Sequence, residues 1–545
     1  CRRLANDPKA MVRRASLQCL WEVLLVDGSL QVAEARAVGR ACQDPSVMVR
    51  KQAADVAAGL LSAFRAPAAA ALWFDSVLPH AADAEASVRA KCLESFERLF
   101  LEDLGSAASR EILHRLGVAG PSAVACAGRL MTALAKVNSS RARKLGGALQ
   151  ALILEQGASA SAAAAEGEEE GVPPVVVGAW VLLGELAPVS ASAINIKKLG
   201  EAWAAVSGRP EGRAARAALG AIGACARRFK PAEAAAICED LVVSLRSFRL
   251  PARAAAAHVG AVSKFCLAMA APPKGPGPQQ VFVCKLLEKA EEEIAGYMDA
   301  GMPEARKGPA GLAVFTAGEL VALGDDWKKT GIARRLRAVL GAGAQGSAAP
   351  GAPRAAQPVQ AYAWVALGKC ALADEGLAKD VVPLMFRELS ASDAPAVRNN
   401  IVVALSDLCV RHTSLVDVHV GKIAACLGDP CEVVRRQTLV LLAGLLQKEY
   451  VKWRGPIFNR FLMALVDESR GVRQLVEYLL SNSLAAKIPM LAYNHFAESI
   501  FVLNNCGKHP TLGGNNLESH FLAADSGVGG AVSLAGGEPA ERQKR

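Results

Sequence analysis

One recurring phrase constrains this chain more than any other feature. An Asp, four residues and then Val-Arg open an apolar-periodic run at Asp7…Val12-Arg13, Asp44…Val49-Arg50, Asp83…Val88-Arg89, Asp429…Val434-Arg435 and Asp467…Val472-Arg473. A further copy, Asp393…Val397-Arg398, is one residue shorter. The Val-to-Val steps are 37 and 39 in the first block and 37 and 38 in the last. Eight residues after each Val stand Leu20, Ala57, Phe96, Leu405, Leu442 and Leu480; eleven after stand Val23, Leu60, Leu99, Leu408, Leu445 and, as the exception, Ser483. Spacings of eight and eleven return to one face of a 3.6-residue helix, so each copy predicts a helix with a single buried stripe. A second helix is predicted before each Asp, over Leu30–Cys42, Ala68–Ala82, Leu377–Leu389, Leu415–Leu427 and Ile457–Val466. The Asp-Pro steps at 7–8, 44–45 and 429–430 suit the join, with Asp capping the second helix and Pro in its first turn. A lone helix pair cannot bury its own apolar face, so pairs must stack: the expected fold is all-α, a solenoid of antiparallel helix pairs.

Composition supports this. Of 545 residues 52% are hydrophobic and only 5% aromatic, and alanine runs such as Ala68–Ala71, Ala162–Ala165 and Ala254–Ala257 favour closely packed helices over sheets or wholesale disorder. The longest apolar stretch, Val175–Leu183, is too short for the ~18 residues of a membrane span. The 14 cysteines form no Cys-x-x-Cys pair; the closest are Cys426 and Cys431. Singly placed in apolar runs (Cys19, Cys92, Cys225, Cys370, Cys409), they are expected to be reduced, buried small hydrophobes, not disulfides or zinc ligands. The net charge of +10 is mild for this length and permits an anionic partner without demanding one.

The expected organisation is a helical-repeat block at 1–154, an acidic Gly/Ser/Ala linker at 155–174, and an irregular helical block at 175–340 interrupted at Pro272–Gln280. A Gly/Ala/Pro linker follows at 341–358, then a regular block at 359–510 and a disordered tail at 511–545. The chain opens mid-helix on Cys1, which suggests a fragment.

The repeat, with Asp at the turn and Val-Arg in the second helix, resembles the HEAT repeat, at a period just under the usual ~40–47 residues. Over 360–510 the resemblance becomes specific. The runs Ala361–Leu372, Ala396-Val-Arg-Asn-Asn400, Leu408-Cys-Val-Arg-His-Thr413, Val434-Arg-Arg-Gln-Thr438 and Gln447–Arg454 resemble, in that order, the C-terminal domain of condensin HEAT subunits. The phrase Glu449-Tyr-Val-Lys-Trp-Arg-Gly455 and the later His495-Phe, Ile500-Phe501, Asn504-Asn505 and Lys508-His509 look like the D3 type of condensin II. The resemblance implies a nuclear, chromosomal, non-enzymatic scaffold without cofactors. Its implied partners are the kleisin subunit, the SMC ATPase pair, a second HEAT subunit and double-stranded DNA, with no membrane and no small-molecule substrate. The alternative is another HEAT scaffold, a nuclear transport receptor or a phosphatase scaffold binding extended peptides; those families lack the Glu449–Gly455 phrase.

No catalytic or metal residues can be named. The eight histidines have no ligand spacing, and the chain lacks a Gly-x4-Gly-Lys-Ser/Thr phosphate loop. Asp7, Arg13, Asp44, Arg50, Asp83, Arg89, Asp393, Arg398, Asp429, Arg435, Asp467 and Arg473 are expected to form a structural ladder, Arg pairing with Asp of the same or the adjacent repeat; phosphate contact is the alternative. Basic residues beside it, Arg14, Lys51, Lys91 and Arg436, could line one edge. The candidate DNA-phosphate contacts are Lys328, Lys329, Arg334, Arg335 and Arg337, and Lys448, Lys452 and Arg454. Tyr450 and Trp453, among the second group, are expected to pack in the core or between repeats.

Overall fold

In the computed structural model each copy of the phrase starts a helix, and the ladder Arg is always its fourth residue: Ala10–Asp27, Val47–Phe64, Ala86–Glu97, Pro395–Arg411, Glu432–Gln447 and Arg470–Tyr478. The structure describes residues 4–64, 67–102, 104–164, 172–269, 275–341 and 355–503. Among these there are helices and turns and no strand, and the fold is the HEAT-type α-solenoid. Val49, Val88, Val397, Val434 and Val472 are fully buried, as are Leu405 and Leu442 eight residues on. The stripe departs from expectation at Val23, which is 55% exposed; Leu24, one residue further round, is buried instead.

The expected helices before each Asp are present as Val32–Ala41, Pro67–Leu72 continued by tighter turns to Ala82, Glu375–Ala391, the pair Thr413–Asp417 and Val420–Ala425, and Gly455–Ala464. The Asp residues do not cap the following helix as expected. Asp44 Oδ1 accepts from the Ser46 amide at 2.8 Å, Asp83 from Glu85 at 2.8 Å, Asp429 from Cys431 at 2.8 Å and Asp467 from Ser469 at 2.7 Å. These are Asx turns closed just before the helix begins. Pro45 therefore sits in the turn, outside the helix Val47–Phe64. The carboxylate is held there because it is shared with the preceding repeat.

The sharing is a bidentate ion pair. Arg13 reaches Asp44 at 2.7 and 2.8 Å, Arg50 reaches Asp83 at 2.8 and 3.0 Å, Arg398 reaches Asp429 at 2.7 and 2.8 Å, and Arg435 reaches Asp467 at 2.7 and 2.9 Å. Each Nη1 also donates to a carbonyl of its own turn: Asp7, Asp44, Ser392 and Asp429 respectively. The ladder thus joins adjacent repeats, at a separation of 31 to 33 residues. Among the described residues Arg89 and Arg473 make only carbonyl bonds, Arg89 to Asp83 and Ala84 and Arg473 to Asp467 and Glu468. Asp7 closes its own turn onto the Lys9 amide. Asp393 is not a rung: it is exposed and pairs with no arginine among the described residues. Its copy is one residue short, so Ser392 falls where the other copies place Asp.

By contacts the chain divides into two units, one of residues 1–245 and 250–279, the other of 246–249 and 280–545. In the first, the helices Ala107–Val118 and Pro174–Leu186 touch backbone to backbone. A Cβ at Gly178 would collide with the Leu113 carbonyl, and one at Gly117 with the Pro174 carbonyl. In the second, Gly318 meets Ala366 and Gly368 meets Ala404, linking Lys307–Val321, Gln357–Ala373 and Pro395–Arg411 through small residues. The alanine and glycine content is therefore spent on short helix-to-helix distances.

The helix Ser139–Ala164 runs into the stretch expected as a linker at 155–174, and residues 165–171 lie outside the described residues. The same holds for 270–274, for 342–354 within the expected 341–358 linker, and for the whole 511–545 tail. The helices Pro278–Asp299 and Gln357–Ala373 begin inside the expected breaks. Cys92, Cys225, Cys370 and Cys409 are buried free thiols, but Cys19 is exposed. Burial pushes the Cys92 and Cys370 thiols up to about 12.

Three substitutions test this packing. Gly178→Ala forces the two helices apart and should cost about 1–3 kcal/mol, the usual range for overpacking, read from the urea midpoint. Asp429→Ala strands the buried Arg398 guanidinium and should cost about 3–5 kcal/mol. Asp44 is held below the usual carboxylate range, chiefly by its Arg13 hydrogen bond. Its contribution is therefore complete above the unfolded value near pH 3.9 and is lost as pH falls through the lower folded value. Asp44→Asn should flatten the acid limb of the stability–pH curve in that window.

Candidate nucleic-acid interface

The first basic cluster lies on a tight turn, Asp325–Lys329, and the helix Ile332–Val339. Trp327, Ile332, Leu336 and Val339 are buried and fix this element, which directs the intervening cations away from the core. Lys328 pairs with Asp325 at 3.0 Å and Lys329 with Asp326 at 2.8 Å, each three residues back. The Asp326 hydrogen bond holds Lys329 above its ordinary value. Arg337 reaches Asp380 at 3.3 Å. Arg334 is exposed and Arg335 half-buried, and neither has a carboxylate partner among the described residues.

The second cluster is the turn between Glu432–Gln447 and Gly455–Ala464. Glu449 ends the first helix in the left-handed conformation, at φ 61°, with the Tyr450 amide donating to the Leu445 carbonyl at 3.0 Å. Val451 is buried and anchors the turn, leaving Lys448 and Lys452 exposed and unpaired among the described residues. Arg454 pairs with Asp417 at 2.8 Å. Trp453 is half-buried and packs edge-on against Phe458 and Phe461, at ring centroid distances of 6.2 and 5.5 Å, a packing role in the core of this repeat.

The eight candidates therefore divide. Lys328, Lys329, Arg337 and Arg454 have acidic partners, while among the described residues Arg334, Arg335, Lys448 and Lys452 have none. The two clusters stand on different elements of the same unit. Along the ladder edge, Lys91 bridges Asp55 and Glu94 at 3.2 and 3.1 Å, Arg436 lies 3.8 Å from Glu432, and Arg14 donates to Gln52 at 3.5 Å. Surface pairs of this kind are worth about 0–1 kcal/mol, so a phosphate could displace them. Among the described residues no His, Cys, Asp and Glu side chains gather as a metal cage, and no helix is long and apolar enough to cross a membrane.

Residues 396–518 match the family described as non-SMC mitotic condensation complex subunit 1, and residues 313–389 match condensin-2 complex subunit D3-like HEAT repeats. The condensin-2 complex subunit CAP-D3 of Arabidopsis thaliana is 28% identical, over 99% of this chain and 46% of its own length. The condensin-2 complex subunit D3-L of Xenopus laevis is 28% identical, over 93% of this chain and 35% of its own. The chain thus spans under half the length of these relatives. Among solved structures, a C-terminal fragment of the Chaetomium thermophilum cohesin loader SCC2 aligns over 97% of this chain and 39% of its own, with a TM-score of 0.68 and 12% identity, which is a likeness of fold alone. The likeness to the D3 subunits is carried along nearly the whole chain at 28% identity, and the chain is their homologue.

Proposed function

We propose that this chain is a non-enzymatic scaffold of a condensin II complex in the nucleus. It binds the kleisin subunit and duplex DNA and stands beside the SMC ATPase pair and a second HEAT subunit on chromosomes. The observation that carries the reading is the D3-like match across nearly the whole chain. The repeat architecture supports it, because stacked helix pairs offer long surfaces to extended partners. Arg13, Arg50, Arg398 and Arg435, already bidentate to Asp, are poor phosphate ligands. The unpaired Arg334, Arg335, Lys448 and Lys452 are better ones, with Lys328, Lys329, Arg337 and Arg454 available by exchange of a surface partner.

Two measurements test this. Tagged chain recovered from nuclear extract should carry the SMC pair and a kleisin; a set of purified partners lacking all of them would sink the scaffold reading. Duplex binding should fall steeply with salt and show little sequence preference. Reversing both Arg334 and Arg335 to Glu should lower duplex affinity about tenfold or more near 100 mM salt and flatten the log–log salt slope by about two. An unchanged slope would remove this helix from the interface.

A further inference from the structure

The ladder is interrupted within the unit of residues 1–245 and 250–279. There the helices Arg213–Ala224 and Ala252–Ala268 pack side by side, with Ala214, Ala215, Ala254 and Ala255 buried. Gly223 lies against Ala261 and Lys264 near their far ends, so the two helices run in the same direction and their first turns are neighbours. Arg216 is the fourth residue of its helix, the place held by Arg13, Arg50, Arg398 and Arg435 in the rungs. The rung step of 31 to 33 residues from Arg216 lands on Ser247, Phe248 and Arg249, none of them a carboxylate. Arg216 Nε is enclosed by protein and has no hydrogen-bond acceptor.

Two more arginines belong to the same pair of first turns. Arg213 is one turn back on the same helix, and its Nη2 donates to the Leu116 carbonyl at 3.3 Å and to the Ala119 carbonyl, which fixes its position. Arg253, the second residue of the neighbouring helix, is exposed. Glu211, the nearest acid in sequence, is exposed and bonds to none of them, and no other carboxylate pairs with the three among the described residues. Burial, followed by the charges of Arg216 and Arg253, holds Arg213 below its ordinary value, the direction expected where cations gather without a counterion.

We propose that Arg213, Arg216 and Arg253 form a receptor for a phosphate monoester carried by a protein segment, a phosphoserine or phosphothreonine. A phosphomonoester brings close to two negative charges and three acceptor oxygens to one point, and guanidinium forks match those oxygens in pairs. Arginine clusters are a general means of reading such groups. A duplex instead spreads its charges along a line and is matched by a row of cations, whereas these three stand at the first turns of two adjacent helices. The backbone N–H groups of those turns add to the same positive end. The three arginines belong to other elements than the basic clusters at 328–337 and 448–454, and their substitution tests this proposal independently of the DNA reading above.

The test uses the full chain and three probes: a short peptide bearing one phosphoserine, its unphosphorylated twin and a random-sequence duplex, each followed by fluorescence anisotropy. The phosphopeptide should bind about tenfold or more tightly than its twin, the effect of one or two charge-assisted hydrogen bonds. Arg216→Gln with Arg253→Gln should lose that preference while leaving the helical circular dichroism and the duplex affinity unchanged. Arg334→Gln with Arg335→Gln should leave it intact. Arg216→Lys with Arg253→Lys keeps the charge but not the fork, and should recover only part of the affinity. Equal binding of the two peptides, wild-type phosphopeptide affinity in the Gln pair, or loss of duplex and phosphopeptide binding in step would each overturn the proposal.

Discussion

The bidentate Arg–Asp contact between neighbouring repeats sets the terms for the rest of the fold. Each rung uses one guanidinium three ways: two N–H groups hold the next repeat's carboxylate, and a third holds a carbonyl of its own turn. The same carboxylate then closes the Asx turn that launches the next helix. One side chain therefore couples the start of one helix to the start of the next. The contact is nearly dry at Arg398–Asp429, where the side chains are 10% and 3% exposed. A buried ion pair recovers little more than its desolvation cost, so its chief contribution is placement: only one register brings both oxygens to both nitrogens.

Placement matters here because the apolar faces are smooth. Helices that meet through Gly318 and Gly368, with Ala366 and Ala404 opposite, gain close contact through small side chains. Such faces bury area without strongly fixing how far one helix has slid along another, since register among apolar side chains comes from interdigitated knobs of different size. The rungs supply at the helix starts what small residues cannot supply along the helix length. The complement holds where the ladder is absent: helices Ala107–Val118 and Pro174–Leu186 approach until backbone meets backbone, and there the glycines themselves permit only one seating.

Much of this was legible in the residues, and the exceptions have physical causes. The ladder could be read because its Asp and Arg recur literally at a near-constant step. Asp393 was misplaced because a copy one residue short moves the acid out of register, and Ser392 supplies the carbonyl instead. Asp was expected to cap a helix because local chemistry favours it; the pull of an arginine 31 to 33 residues earlier is non-local and prevailed. In the candidate interface the cations could be named from sequence, as could the i, i+3 acids Asp325 and Asp326. Asp380 and Asp417, which neutralise Arg337 and Arg454, reach them from other helices and leave no local signal. Trp453 was correctly assigned to packing, because the phenylalanines it meets lie in the helix that follows it.

The rungs also change the meaning of the charge. A net +10 over 545 residues says little while every arginine is counted alike. Arg13, Arg50, Arg398 and Arg435 are matched one to one by Asp and contribute no field at a distance. Among the cations without a carboxylate partner in the described residues are Arg334 and Arg335, Lys448 and Lys452, and Arg216, whose helix places it for a rung that the sequence does not complete. The same residue at the same helical position is structural when the next turn brings a carboxylate and available when it does not. On the proposal above, a rung position that meets no Asp leaves its arginine for a partner outside the ladder, without any change in the helix that presents it.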